Sequence, residues 1–282
     1  MTTSLSRRQF VVAAPGVSAA ALALFGPLQG ALAQSAETKP AESPSKTTKL
    51  WPDFPRQDPA LVKAVVGASH FDEAKVRELV DKHPALARAT WDWGFGDWES
   101  ALGAAAHTGR RNIAEYLLQK GARLDIFAAA MLGMTDAVKA MIAASPGIQR
   151  THGPHGFTLL AHARAGGEAA KGTLDYLSSL GDADTPTPTQ SLSTDQKRPY
   201  VGKFRFGAEE SDHFEVKLND KGELSIERVG DTRRVLNHVG DHAFFPAGAP
   251  SVRIHFDLKD GAPAALRLID HDLLATASRV ST

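Results

Sequence analysis

Apolar residues recur at helical spacing through the first half of the chain and alternate with polar residues through its last third. Leu61, Val65 and Val66 form one stripe, Val76, Leu79 and Val80 a second, and Ala101, Leu102, Ala105 and Ala106 a third. Ile113, Tyr116, Leu117 and Leu118 continue the series, followed by Val138, Met141 and Ile142 and then by Leu174, Leu177 and Leu180. Such one-sided stripes predict short amphipathic helices. Gly121, Pro146 and Gly181 stand just past three of them, where glycine caps a helix and proline cannot continue it. From Tyr200 the period falls to two. Residues 200–206, 214–218, 224–228, 234–238, 243–245, 252–258 and 265–269 read as strands, with turns at 219–222 and 259–261. Short strands at regular spacing predict a closed or nearly closed antiparallel sheet. The pattern therefore predicts an α+β chain of two domains, all-α first and a small antiparallel β-barrel-like domain second.

Two low-complexity breaks set the boundaries. Residues 34–49 are Ser, Ala, Glu, Thr, Lys and Pro without apolar period, a disordered spacer. Residues 185–198, opening on Thr-Pro-Thr-Pro-Thr, suit an extended linker. The helical domain is expected over 50–184 and the β-rich domain over 199–282. Residues 1–33 form a leader: Arg7 and Arg8 precede an uncharged apolar stretch, and Ala31-Leu32-Ala33 is a small-x-small cleavage site. The segment Ser6-Arg7-Arg8-Gln9-Phe10-Val11 resembles the twin-arginine export motif, which is an address and not an anchor. The expectation is a periplasmic protein with no stable membrane insertion after the leader is removed.

Short paired helices call for a search for repeats. Residues 100–109, Ser-Ala-Leu-Gly-Ala-Ala-Ala-His-Thr-Gly, lead into 113–122, Ile-Ala-Glu-Tyr-Leu-Leu-Gln-Lys-Gly-Ala. Together they resemble the ankyrin unit, T-P-L-H-x-A-A-x-x-G and then I-V-x-L-L-L-x-x-G-A. Ser100 and Gly103 depart from its Thr and His. Looser copies run over 127–146 and 156–183, with a degenerate pair near 58–88. The resemblance implies an ankyrin-like solenoid with one concave binding face. In the last third, Tyr200-Val201-Gly202-Lys203-Phe204, the turn Gly222-Glu223-Leu224 and residues 266–279 look like the small lipocalin-like β-domains appended to some exported serine hydrolases.

Charge and composition narrow the function. The 282 residues carry 32 basic and 32 acidic side chains, so no global field favours nucleic acid. There are no cysteines, which excludes disulfides, thiolate metal sites and a cysteine nucleophile. G-x-S-x-G, H-E-x-x-H, a P-loop and a strand-borne G-x-G-x-x-G are all missing. No catalytic residue and no cofactor is therefore assigned.

Two features remain. Trp91, Trp93 and Trp98, three of the four tryptophans, join Phe95 in a segment before the best repeat. Surface aromatics anchor partners, or they cap the join between repeats. Here Trp91 and Trp98 suit the buried role, and Trp93 and Phe95 fit either. His107, Thr108, His152, His155 and His162 lie at loops and helix ends of the array, where they could meet a partner, hold a metal through neutral imidazoles, or serve the fold. The leading expectation is a module that binds another periplasmic or envelope protein, by analogy with its fold. A carrier of a small apolar ligand in the β-domain and a metal-dependent enzyme using His107, His152, His155 or His162 are the alternatives. His238, His242, His255, His271, Asp270 and Asp272, and the Arg110-Arg111 pair, are expected at the surface.

Overall fold

The computed structural model describes residues 52–280, so the expectations for the leader and the spacer lie outside the described residues. Helices come first. Helix α1 (Pro59–Ala68) and α2 (Glu73–Lys82) pair, then a two-stranded hairpin of β1 (Thr90–Asp92) and β2 (Trp98–Ser100) leads into α3 (Ala101–His107) and α4 (Arg111–Gln119). Helices α5 (Ile126–Met131), α6 (Thr135–Ala144), α7 (Leu159–Ala165) and α8 (Lys171–Leu180) complete the helical part. No helix among the described residues is long and apolar enough to cross a membrane.

Side-chain caps start most of these helices. Asp58, Asp72, Ser100, Asp125 and Thr158 each accept a hydrogen bond from a backbone N–H one turn in, satisfying donors that the helix itself leaves free. Ser100 fills this role for the Gly103 N–H at 2.9 Å, so its departure from threonine leaves the turn bonded. Alanine dominates the interior. Ala101, Ala104, Ala105, Ala106, Ala128, Ala129 and Ala130 are wholly buried, and their small side chains bring helix backbones close. Helix α5 is apolar all round because it faces two cores. Ala128 and Met131 enter the one built on α1 to α4, while Ala129 and Ala130 enter the one built on α6 to α8. Arg110 and Arg111 are not a free basic edge. Arg110 donates to the His70 carbonyl, and Arg111 donates to the carbonyls of Met131 and Leu132 at the end of α5.

Eight antiparallel strands then close a barrel: β3 (Gly202–Arg205), β4 (His213–Leu218), β5 (Leu224–Arg228), β6 (Arg234–Gly240), β7 (Ala243–Pro246), β8 (Arg253–Lys259), β9 (Ala262–Asp270) and β10 (Asp272–Arg279). Each strand pairs with the next, and β10 closes on β3 at Ser278–Arg205 and Arg279–Phe204. Period-two alternation sends Phe204, Val216, Ile226, Phe244, Ile254, Phe256 and Leu266 inward, where they pack as one core. An eight-stranded barrel is narrow enough for side chains to fill. The strand over 272–279 was not read as a separate strand from the sequence. Its turn uses His271 at φ 65 instead of a glycine, so the usual hairpin signature is missing. The expected linker is extended only at first. Gln190 donates its backbone N–H to the His238 carbonyl, Leu192 packs on the barrel core, and Ser193 caps a one-turn helix α9 (Thr194–Lys197). Helices and barrel form one compact unit.

Candidate metal centre

The centre is assembled from four short pieces of chain. His70 follows the end of α1, and its Nδ1 lies 3.2 and 3.0 Å from the carbonyl oxygens of Val66 and Gly67. Carbonyls only accept, so Nδ1 carries a hydrogen and Nε2 is the nitrogen turned to the centre. His107 is the last residue of α3. His155 sits at φ 58 in the 3-10 turn Pro154–Gly156. Its ring Nδ1 lies 2.6 Å from Asp97 Oδ2, and its backbone N–H donates to Asp97 Oδ1 at 2.9 Å. Donation of Nδ1–H to that carboxylate again turns Nε2 towards the centre. The fourth piece is the hairpin. Alternation along 97–99 turns Asp97 and Glu99 inward and Trp98 outward.

Glu99 has no exposed side-chain surface and lies among the three imidazoles. His107 Nε2 stands 2.9 Å and His155 Nε2 3.3 Å from its Oε1, and His70 Nε2 stands 3.4 Å from its Oε2. The four donor atoms all lie within 4.8 Å of one another. Adjacent donors sharing one ion at bonds of about 2.0–2.1 Å lie about 2.9–3.4 Å apart, so the closest pairs already fit and the widest would close by up to about 1.5 Å. Glu99 Oε1 and His107 Nε2 are both buried and 2.9 Å apart, close enough for one ion to draw on both.

The surrounding shell holds these donors in place. The Trp93 indole N–H donates to Glu99 Oε2 at 2.6 Å. Arg234, on strand β6, reaches across from the barrel. Its Nη2 lies 2.8 Å from Asp97 Oδ2 and 3.0 Å from the Trp93 carbonyl oxygen. The chain Arg234–Asp97–His155 is the carboxylate–imidazole arrangement that fixes the tautomer of metal-binding histidines. In the metal-free protein these imidazoles pair with Glu99 as ion pairs, and a bound metal ion would displace their Nε2 protons. Burial disfavours a charged Glu99, but His107, His155 and His70 outweigh it and hold its carboxyl well below the usual carboxylate range. Burial likewise opposes charge on His155, yet Asp97 and Glu99 push its pKa up to about 9. His70 is raised in the same way, burial being outweighed by Glu99.

No model of a known protein family matches the chain, and no curated protein does.

The structure brings together some of the residues singled out in the sequence and separates others. His107 and His155 join the centre. His152 does not: its Nε2 lies 3.1 Å from the Thr185 carbonyl oxygen. His162 is fully buried beside Phe127, with Nδ1 on the Thr158 carbonyl at 2.8 Å, and burial pushes its pKa down to about 4. Thr108 donates its hydroxyl to the Ala104 carbonyl and closes α3. Trp91 is half-buried under Lys63. Trp93 faces the His70 and His155 rings. Phe95 turns into the barrel core, 6.5 Å from Phe214. Trp98 is 63% exposed, whereas the sequence suited it to a buried role, because the alternation that buries its neighbours turns it out. His70 and Glu99 were missed. His70 belongs to no motif, but Glu99 was legible as the acid closing the aromatic segment. In the barrel, His242 is tied to Tyr200 at 2.6 Å and His255 lies with Asp257 and Arg267.

Proposed function

We propose that the protein binds one first-row divalent metal ion through His70, Glu99, His107 and His155. The observation that carries this reading is the convergence of three imidazole Nε2 atoms and one carboxylate oxygen, with His70 and His155 oriented through their Nδ1 partners. Three nitrogens and one oxygen suit zinc and its first-row neighbours, and do not suit calcium or magnesium. Equilibrium dialysis of the full chain against micromolar Zn²⁺, beside Glu99→Gln and His107→Ala variants of unchanged circular dichroism, tests it. One ion per native chain with none in the variants is expected. Equal uptake by all three would sink the reading.

The expected protein-partner role keeps one specific support. Trp98 is exposed at the rim of a cleft of about 440 Å³, lined also by Phe127, His152, Pro154 and Pro250. Capture of a distinct envelope protein by the native chain and its loss in Trp98→Ala would support that role. The finer reading of the helices as an ankyrin-type array is part of the same proposal. It draws on Gly109 and Gly133, each just past the first helix of a pair at positive φ, where a side chain's Cβ would collide with the backbone carbonyl of Ala165 and Ala169 respectively. Twin-arginine export to the periplasm rests on the leader motif alone. Retention of the precursor in the cytoplasm on Arg7→Lys, Arg8→Lys substitution would be its signature.

A further inference from the structure

We infer that the metal centre is open on one side and takes a small monoanionic ligand there; this rests on the metal reading above. The four donors are not equally enclosed. The side chains of Glu99 and His107 are 0% and 8% exposed, whereas those of His70 and His155 are 21% and 23% exposed. The rings of His70 and His155 stand nearly parallel, 6.0 Å apart between centroids and inclined by 25°. Both rings lie against the more enclosed Glu99 and His107. Trp93 already holds Glu99 Oε2 with its indole N–H, which favours Oε1 as the single ligand atom. The protein therefore supplies four single donors. An ion that takes five or six keeps one or two positions free, and the partly exposed side of His70 and His155 is where solvent reaches them. Four protein donors close a tetrahedral ion, so the open position belongs to an ion of higher coordination number such as manganese, iron or cobalt.

Charge selects the ligand. A divalent ion with Glu99 leaves one net positive charge in a largely buried place. Asp97 does not reduce it, because Arg234 lies 2.8 Å from that carboxylate and matches it. Arg110, bound to the His70 carbonyl at 3.0 Å, adds positive potential close by. An unpaired charge out of water is costly, so a monoanion is favoured over a neutral donor. Hydroxide from a bound water, a carboxylate or another small oxyanion has this chemistry, and bound divalent ions lower the pKa of water to about 7.

The test uses the full chain loaded with Co²⁺, whose visible absorption reports its coordination, titrated with sodium azide. A saturable change in the absorption bands, with cobalt still bound after desalting and no comparable change from acetonitrile, is the expected result. Unchanged bands on a chain holding one cobalt would overturn the open site while leaving the metal reading intact. Equal response to acetonitrile would overturn the preference for an anion. A chain that takes up no cobalt would end both.

Discussion

Glutamine has nearly the size of glutamate and can still accept from the Trp93 indole, but it is a poor ligand for a cation. Glu99→Gln should therefore keep the fold and lower zinc affinity by about two orders of magnitude or more, as isothermal titration would show. Asp97→Asn should cost less, about 10- to 100-fold, because it loosens the orientation of His155 and removes no ligand. Affinity equal to that of the native chain would remove Asp97 from the metal's surroundings. His162 gives a separate prediction. It stays neutral in the folded chain down to about pH 4, while in the unfolded chain it takes its proton near pH 6.5. Between these values the unfolded state binds more protons, so this contribution is full above pH 6.5 and is lost as pH falls towards 4. The loss amounts to about 3 kcal/mol. His162→Asn retains a donor for the Thr158 carbonyl without the titration. Its urea midpoint should change less over that window than the native one, and an identical pH profile would count against a neutral buried His162.

At the scale of elements, the hairpin 90–100 joins the two halves of the site. Its tip runs through Gly94, Phe95 and Gly96, all at positive φ. A left-handed phenylalanine costs about 1–2 kcal/mol, offset here by seating its ring in the mouth of the barrel. Phe95→Ala would keep the backbone cost and lose that packing, and should destabilise the chain by about 1–3 kcal/mol in chemical denaturation. No loss would mean that the ring contributes nothing to joining hairpin and barrel. The hairpin also shows what the sequence could convey. The helix stripes and strand alternation were plain because each depends on neighbours three, four or two positions away. The role of the hairpin was not, because it depends on what lies on either side. Aromatics gathered between glycines read as a surface anchor. In the fold, Trp93 is turned to the histidines and Phe95 to the barrel, and exposed Trp98 is the residue left facing outward.

Across the whole molecule, the centre is built from parts far apart in sequence, which is why composition concealed it. His107 and His155 could be chosen as candidates because they lie at the ends of recognisable helical units. His70, behind an ordinary helix end, meets the other donors only because α1 packs beside α3 and the hairpin. The contribution of the barrel was equally hidden. Arg234 is one of several basic residues alternating along strands, yet in the fold it is 9% exposed and links the barrel to Asp97 and Trp93. Metal binding should therefore stabilise helices and barrel together. Zinc is expected to raise the melting temperature of a single calorimetric transition, and Arg234→Gln to reduce that rise. A rise undiminished in the variant would show that the barrel is a bystander.

The most direct test of the metal centre is diffraction from crystals of the zinc-loaded full chain, recorded on both sides of the zinc absorption edge. One anomalous peak within bonding distance of His70 Nε2, Glu99 Oε1, His107 Nε2 and His155 Nε2 is the expected result. A well-ordered site with no such peak, or zinc held elsewhere on the chain, would contradict it.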